Sequence, residues 1–137
     1  MSERIQVIDA DVAQPFAGLE TADVAHLIGK IDVVLHFAGL TDFNPDPIRA
    51  LAINSEGPSF MADLAAHLGA PIAHVSTCYV AGHFDGVYSE HIHTCQSPNG
   101  STIDPLREID TIRKRLLTPD ASGRPLRRQA RMDLALD

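Results

Sequence analysis

The stretch from Ile31 to Gly39, IDVVLHFAG, places the strongest constraint on the fold of this chain. Its apolar residues from Ile31 to Leu35 lack the regular apolar and polar alternation of a half-exposed strand, a pattern typical of a strand buried on both faces of a parallel sheet. Such a strand needs helices packed on both sides of the sheet. The stretch therefore predicts an α/β fold.

Apolar runs and helical patterns alternate along the chain on both sides of this stretch. RIQVIDADV (residues 4–12) predicts a first strand, and PIAHVST (residues 71–77) predicts a third. Helical spacing of apolar residues predicts helices over residues 21–30 and 46–69, and Gly57-Pro58 should bend or break the second one because proline has no amide donor. This β-α-β-α-β series predicts an incomplete doubly wound, Rossmann-like parallel sheet of about three strands.

The charge of the chain changes sign near Pro105. Residues 1–105 carry 13 acidic and 3 basic side chains, whereas residues 106–137 carry 5 acidic and 8 basic ones. We therefore predict a Rossmann-like domain over residues 1–105 and a basic helical insertion or tail over residues 106–137. Such an acidic domain argues against nucleic acid as a partner, because phosphate binding needs a basic face.

Composition also narrows the class of protein. No stretch is long and apolar enough for a signal peptide or a membrane span. The two cysteines, Cys78 and Cys95, are too few for a disulfide framework, so reduced thiols are expected. We expect a cytoplasmic protein without a transmembrane segment.

The carboxyl ends of the predicted strands are the expected ligand site, because parallel α/β sheets bind ligands there. The three ends fall at Asp9–Val12, His36–Gly39 and Val75–Thr77. After the third strand, Ser76 and Thr77 are followed directly by Cys78 and Tyr79. Cys78 could attack a thioester if a histidine activated it, but a small buried core residue is the better interpretation.

The segment HIHTC raises the question of a metal site. Its extended spacing would place His91, His93 and Cys95 on one face as metal ligands. A fourth ligand at a recognisable spacing is missing from the sequence. We therefore predict a polar surface loop and no metal.

Three segments together carry a family resemblance: GLETADVAHLIGKIDVVLHFAG, ALAINSEGP and HVSTCYVAGHFDGVYSEHI. They resemble the middle of an extended short-chain dehydrogenase/reductase, and more narrowly its fatty acyl-CoA reductase and thioester reductase branch with the "male sterility" NAD-binding domain. EIDTIRKRL is similar, more loosely, to a helical insertion of some bacterial acyl-CoA reductases. The resemblance implies an oxidoreductase of lipid metabolism that uses NADP(H) or NAD(H) to reduce acyl-CoA or acyl-carrier thioesters.

The resemblance also implies roles for individual residues. Asp11 and Val12 match a pair that lies against the adenine ring, and Asn54 matches an asparagine that helps to hold the cofactor site. Thr77 matches the catalytic hydroxyl that hydrogen-bonds the substrate carbonyl oxygen while a tyrosine donates the proton. The other cofactor-binding residues that it implies are His36, Phe37, Ala38, Gly39, Val75 and Ser76.

Two motifs of the family do not occur in the sequence. The nine glycines show no GxGxxG or GxxGxxG spacing for the pyrophosphate, and neither Tyr79 nor Tyr88 is followed four residues later by a lysine. In the doubly wound order, the first predicted strand would also lie roughly 14 Å from the second, with two strands missing between them. We therefore expect a fragment, inactive alone, of a split or larger reductase.

Two other functions stay open at this point. The chain could be a non-catalytic remnant or a protein-binding module that uses its half-sheet to contact another protein. Within the same superfamily, a nucleotide-sugar epimerase/dehydratase-like enzyme is the other alternative, because nothing in the sequence forms an identifiable acyl pocket.

Overall fold

The computed structural model describes residues 5–77, 85–91, 94–96, 100–126 and 130–131. The chain divides into two compact units, the first from residues 1–45 and 52–75 and the second from residues 46–51 and 76–137. The predicted division at residue 105 concerns composition and stays a prediction of domain organisation. In chain order, the main elements are α1 (Thr21–Leu27), β1 (Val34–His36), α2 (Pro47–Ala50), a π-helical segment (Leu51–Glu56), α3 (Gly57–Leu68), β2 (Ile72–His74) and α4 (Pro105–Leu117).

The first unit contains a parallel sheet of two strands, β1 and β2. Val34 lies opposite Ile72 and His36 lies opposite His74. The ladder continues past β2, where the Val75 amide donates to the His36 carbonyl at 3.1 Å. The helical stretch between the strands provides the crossover that a parallel connection needs, so the mixed α/β class predicted from the sequence is confirmed.

The core of the first unit lies under α3. Leu64 and Leu68 of this helix are buried together with Ala17, Val24 and Ala70. Gly69 ends the helix with a φ of 70°, a left-handed conformation that glycine adopts without a steric penalty. This helix end agrees with the stop predicted at Gly69.

The predicted bend at Gly57-Pro58 takes the form of a change in helical type. The π-helical segment ends at Glu56, and α3 begins at Gly57. Pro58 has no amide hydrogen, so it cannot continue the hydrogen-bond ladder of the preceding turn. The chain stays helical through this point, whereas a break was the other predicted outcome.

The expectation of about three strands is not met within the described residues. Residues 5–10 form no regular structure, and Ile5 and Val7 are 81% and 86% exposed. A strand needs a hydrogen-bonded neighbour, and the described chain provides none alongside these residues. The doubly wound order is therefore not formed by this part of the chain.

The prediction that the strand in IDVVLHFAG is buried on both faces is wrong. Leu35, in the middle of β1, is 61% exposed, whereas His36 beside it is buried. The reason is that α3 covers one face of the two-stranded sheet, and no described element of the unit covers the other. The apolar side chain of Leu35 therefore lies on a face of the sheet that no described element of the unit covers.

The second unit contains α4, the helix predicted in the basic tail. Asp104 caps α4, since its carboxylate accepts hydrogen bonds of 3.2 Å from the amides of Leu106 and Arg107. The side chain of Leu116, near the end of the helix, is buried. Among the described residues, no helix has the length and apolar character needed to cross a membrane.

Asp46 and Arg131 form a partly buried ion pair in the same unit. The Arg131 guanidinium also donates to the Leu126 carbonyl at 2.7 Å, and the Asp46 carboxylate caps α2 by accepting from the Ile48 amide at 3.0 Å. Partial burial acts to raise the pKa of Asp46, but the hydrogen bonds from Arg131 and Ile48 outweigh it and lower that pKa. One carboxylate thus joins residue 131 to the start of α2.

Truncation of the core under α3 should destabilise the protein. Leu64 is 4% exposed, so Leu64→Ala should lower the free energy of unfolding by about 2–5 kcal/mol. Leu106, at 77% exposed, provides the matched control, and Leu106→Ala should change that free energy by less than about 0.5 kcal/mol. Urea denaturation followed by circular dichroism measures both, and equal effects would contradict the core described above.

Candidate functional site

Asn54 ties the π-helical segment to the loop that follows β1. The Leu40 amide donates to Asn54 Oδ1 at 2.7 Å, and Asn54 Nδ2 donates to the Leu40 carbonyl at 2.9 Å. The side-chain amide therefore pairs with the backbone of Leu40 through both its acceptor and its donor. This pair of hydrogen bonds fixes Leu40, and with it the neighbouring Gly39, at the carboxyl end of β1.

The turn after the first apolar run is also fixed in the first unit. The Asp11 carboxylate accepts from the Ala13 amide at 2.9 Å, and the Asp11 amide donates to the Ala17 carbonyl at 2.8 Å. A Cβ atom at Gly57 would lie only 3.1 Å from the Val12 carbonyl oxygen, tighter than ordinary contacts. A glycine at this position therefore lets the start of α3 approach the backbone of Val12.

The implied cofactor-binding residues of the first unit differ in their exposure. Val12 is half-buried and His36 is buried, while Asn54 is exposed and bound to Leu40. The exposed remainder consists of Asp11, Phe37, Ala38, Gly39 and Val75. The loop between β1 and Leu40 thus presents its side chains and backbone to solvent, where a ligand can reach them.

His36 lies too deep for its side chain to meet a ligand at the surface. It is 2% exposed, and its ring stacks on that of His74 with centroids 4.9 Å apart and an interplanar angle of 21°. Its Nε2 has no hydrogen-bond partner among the described residues. Burial, and secondly the charge of a protonated His74, lower the pKa of His36 and favour its neutral form.

The histidine pair was missed by the sequence analysis, although a signal for it is present. Each histidine is the last residue of its strand, in VLH and IAH. The parallel register places these two last residues opposite each other. Equivalent positions in two predicted parallel strands could therefore have indicated the contact.

Ser76 and Thr77 follow Val75 directly and are exposed. Both lie beyond β2, which ends at His74, and both belong to the second unit. Cys78, Tyr79 and His93 fall outside the described residues, so the interpretations placed on them stay predictions.

The described part of the HIHTC segment holds His91 and the free, exposed Cys95. Across all residues that the structure describes, no group of three or more histidine, cysteine, aspartate or glutamate side chains is placed to hold a metal ion.

Comparison with known proteins identifies the family of the chain. The model of an NAD-binding domain family described as male sterility protein matches residues 1–127. The chain belongs to this male sterility family. A curated protein of Arabidopsis thaliana, "Probable fatty acyl-CoA reductase 4", is 28% identical over 104 residues, which are 73% of this chain and 21% of that protein. The family match confirms the predicted male sterility NAD-binding domain, and this relative supports the predicted resemblance to the fatty acyl-CoA reductase branch.

This male sterility domain spans about a fifth of the length of that relative. No solved structure matches it. Membership in an NAD-binding family implies a nicotinamide cofactor, and the family match leaves NAD and NADP as alternatives.

Removal of the Asn54 amide should loosen the loop after β1. Asn54→Ala removes two hydrogen bonds to Leu40, each worth about 1 kcal/mol, so hydrogen exchange at the Leu40 amide should be about 5- to 30-fold faster. Asn54→Asp keeps the acceptor and should show a smaller increase. Amide exchange followed by NMR measures the effect. Asn44→Ala, in the same loop, is the control, and an increase as large as that of Asn54→Ala would contradict the assignment.

The buried His36 should make stability depend on pH. Because its pKa is lowered in the folded state, the unfolded chain takes up the proton first as the pH falls. Stability should be complete above the ordinary value of 6.5 and should decrease as the pH falls from there towards the folded pKa.

Thermal midpoints measured from pH 5 to pH 8 test this dependence. His36→Leu should reduce the slope over that range because it removes the buried titrating group. His67→Gln, an exposed position on α3, should retain the slope. An unchanged slope in His36→Leu would show that other groups control the pH dependence.

Proposed function

We propose that this chain supplies part of the cofactor-binding and carbonyl-orienting surface of an NAD(P)H-dependent reductase of fatty acyl-CoA or acyl-carrier thioesters. The observation that carries the proposal is the pairing of Asn54 with Leu40, which holds an exposed loop at the carboxyl end of a parallel strand. Ligands of α/β sheets bind at such ends. The family supports a nicotinamide cofactor, and the printed name of the Arabidopsis relative supports an acyl-CoA substrate.

The described residues fit one side of a dinucleotide. Phe37, Ala38 and Gly39 present an exposed apolar surface at the end of β1, and the fixed turn at Asp11 and Val12 would hold the adenine end. The sequence has no Gly-rich turn for the pyrophosphate, so that contact has to come from residues outside this chain.

A nicotinamide held at this surface would supply the hydride for the thioester carbonyl carbon. The Thr77 hydroxyl would donate a hydrogen bond to the carbonyl oxygen, where negative charge develops. The C–S bond would then break, so that the thiol of CoA or of the acyl carrier leaves with a proton and the carbonyl carbon becomes that of an aldehyde. The proton for the carbonyl oxygen comes from a tyrosine acid outside the chain, because no tyrosine here has a lysine four residues later. The buried side chain of His36 would act through the position of β1, at the start of the turn that the resemblance places beneath the cofactor.

Two consequences follow for the isolated chain. It should show no turnover, because the tyrosine acid and the pyrophosphate turn are both missing from its sequence. Binding of NADPH or NADH should be weak for the second reason. A fluorescence titration with each cofactor in turn measures this binding and any preference between them.

A chimeric enzyme tests the proposed role of Thr77. The 137 residues replace the matched stretch of the Arabidopsis relative, and oxidation of NADPH or NADH is followed with palmitoyl-CoA as the substrate. Thr77→Val should lower kcat by about 100- to 1000-fold, as expected when one donor to a developing oxyanion is lost. Thr77→Ser keeps the hydroxyl and should retain most of the rate.

Thr94→Val, at an exposed threonine outside the proposed site, is the control and should leave kcat unchanged. If Thr77→Val also leaves kcat unchanged, the catalytic assignment of Thr77 is wrong. A folded chimera that binds neither cofactor would instead support the interpretation as a non-catalytic remnant or protein-binding module.

A further inference from the structure

The turn over residues 11–18 holds a backbone conformation that it would not keep by itself. Phe16 and Ala17 have φ values of 53° and 56°, in the left-handed region. This region is disfavoured for residues with a Cβ atom, because that atom then crowds the following carbonyl oxygen. Contacts from the rest of the first unit therefore have to hold the 11–18 turn in place.

Two of these contacts come from α3. Near the end of the helix, the His67 ring meets the Phe16 ring edge-on, with centroids 5.2 Å apart and an interplanar angle of 84°. At the first residue of the helix, Gly57 is buried, and a Cβ atom there would lie 3.1 Å from the Val12 carbonyl oxygen. The helix thus contacts the turn at two separate places, and at one of them a side chain would be crowded.

Gly57 does not need to be glycine for its own backbone. Its φ is not positive, in contrast to that of Gly69 at the other end of α3. Glycine also weakens a helical stretch relative to alanine, because it loses more conformational freedom on folding. The close approach to Val12 is therefore the reason for a glycine that the structure supplies at this position.

The helical stretch that carries Gly57 also fixes the other part of the proposed cofactor surface. Asn54 lies three residues before Gly57 and holds the loop after β1 through its two hydrogen bonds to Leu40. Gly57 itself lies against the turn that carries Val12. One short stretch of backbone, residues 54–57, therefore sets the distance between the two segments that the proposed function assigns to the dinucleotide.

We propose that Gly57 is a positioning residue for the adenine end of the cofactor. The missing side chain lets α3 lie against the Val12 carbonyl, and this contact sets where the 11–18 turn meets the adenine ring, although Gly57 does not touch the cofactor. A methyl group at this position would push the turn by a few tenths of an ångström. The inference rests on the proposed function and deepens it, because it names a residue that controls the affinity of that site from outside it.

A role in stability alone predicts a different result. Alanine raises the helix propensity, and the crowding at Val12 acts in the opposite direction, so the thermal midpoint of Gly57→Ala should stay within about 4 °C of the wild-type value. A contact that only stabilised the fold would then leave cofactor binding unchanged. A contact that positions the turn should instead weaken binding of the adenine end while the protein stays folded.

The chimera with the Arabidopsis relative tests Gly57 through the adenine end alone. AMP is the probe, because it carries adenine without nicotinamide, and calorimetry gives its Kd. Gly57→Ala should raise this Kd and the KM for NADPH or NADH about 10-fold, since a misplacement of 1 Å can cost about 100-fold and this one is smaller. The kcat at saturating cofactor should stay within about twofold, as expected when only binding is lost.

Ser59→Ala is the matched control, because Ser59 is exposed in the first turn of the same helix. It should leave the AMP Kd, the cofactor KM and kcat unchanged.

Hydrogen exchange in the complete chain follows the turn without any cofactor. The Ala13 amide, which donates to the Asp11 carboxylate, should exchange faster in Gly57→Ala than in the wild type. The Leu40 amide should keep its wild-type rate, because its hydrogen bond to Asn54 is not disturbed.

A second variant loosens the same turn without adding an atom at Gly57. Phe16→Asn removes the ring that meets His67, and asparagine tolerates the left-handed conformation better than most residues. It should also raise the AMP Kd and leave kcat at saturating cofactor unchanged. If Gly57→Ala does not fold, this variant decides: a raised AMP Kd supports the positioning role, and an unchanged one overturns it.

Failure of this inference is distinguishable from failure of the proposed function. A wild-type chimera that binds AMP and a nicotinamide cofactor, with an AMP Kd that folded Gly57→Ala leaves unchanged, would keep the proposed function and overturn the positioning role alone. A wild-type chimera that binds neither would contradict the proposed function and, with it, the positioning role.

Discussion

Two strands of three residues each cannot form a stable sheet in water without an apolar partner. In this protein, α3 is that partner, and its side chains Leu64 and Leu68 are buried in the core of the first unit. This contact fixes the position of β1 and β2, and therefore the position of the residues that follow their carboxyl ends. Asn54 can reach Leu40 because its own segment leads directly into the same helix.

The local patterns of the sequence predicted the elements whose causes are local. Gly69 ends α3 in a left-handed conformation, because a glycine at a helix end acts within one turn. The first helix, α1, begins at Thr21, where the helical spacing of apolar residues begins, and it has no side-chain cap. Residues 5–10 show the limit of this reasoning. Their apolar alternation is that of a strand, but a strand also depends on a neighbour, and a local pattern does not show whether a neighbour is present.

The candidate site likewise combines a residue that the sequence analysis selected with contacts that it could not predict. Asn54 was selected through a family resemblance, and its partner, Leu40, is 14 residues away in sequence. The stacking of His36 on His74 depends on the register between two strands, which periodicity alone does not determine. The π-helical turn that carries Asn54 was likewise outside the reach of periodicity, although such turns often occur at functional sites.

The path of the chain has a consequence for how the protein is made. The segment 46–51 belongs to the second unit but lies between the two parts of the first, and Asp46 within it pairs with Arg131, 85 residues later. During synthesis the first unit can collapse as soon as residue 75 emerges from the ribosome. Asp46 can form its ion pair only after Arg131 has been synthesised. Because residues 46–51 of the second unit lie between the two parts of the first, no single cleavage of the chain separates the two units intact.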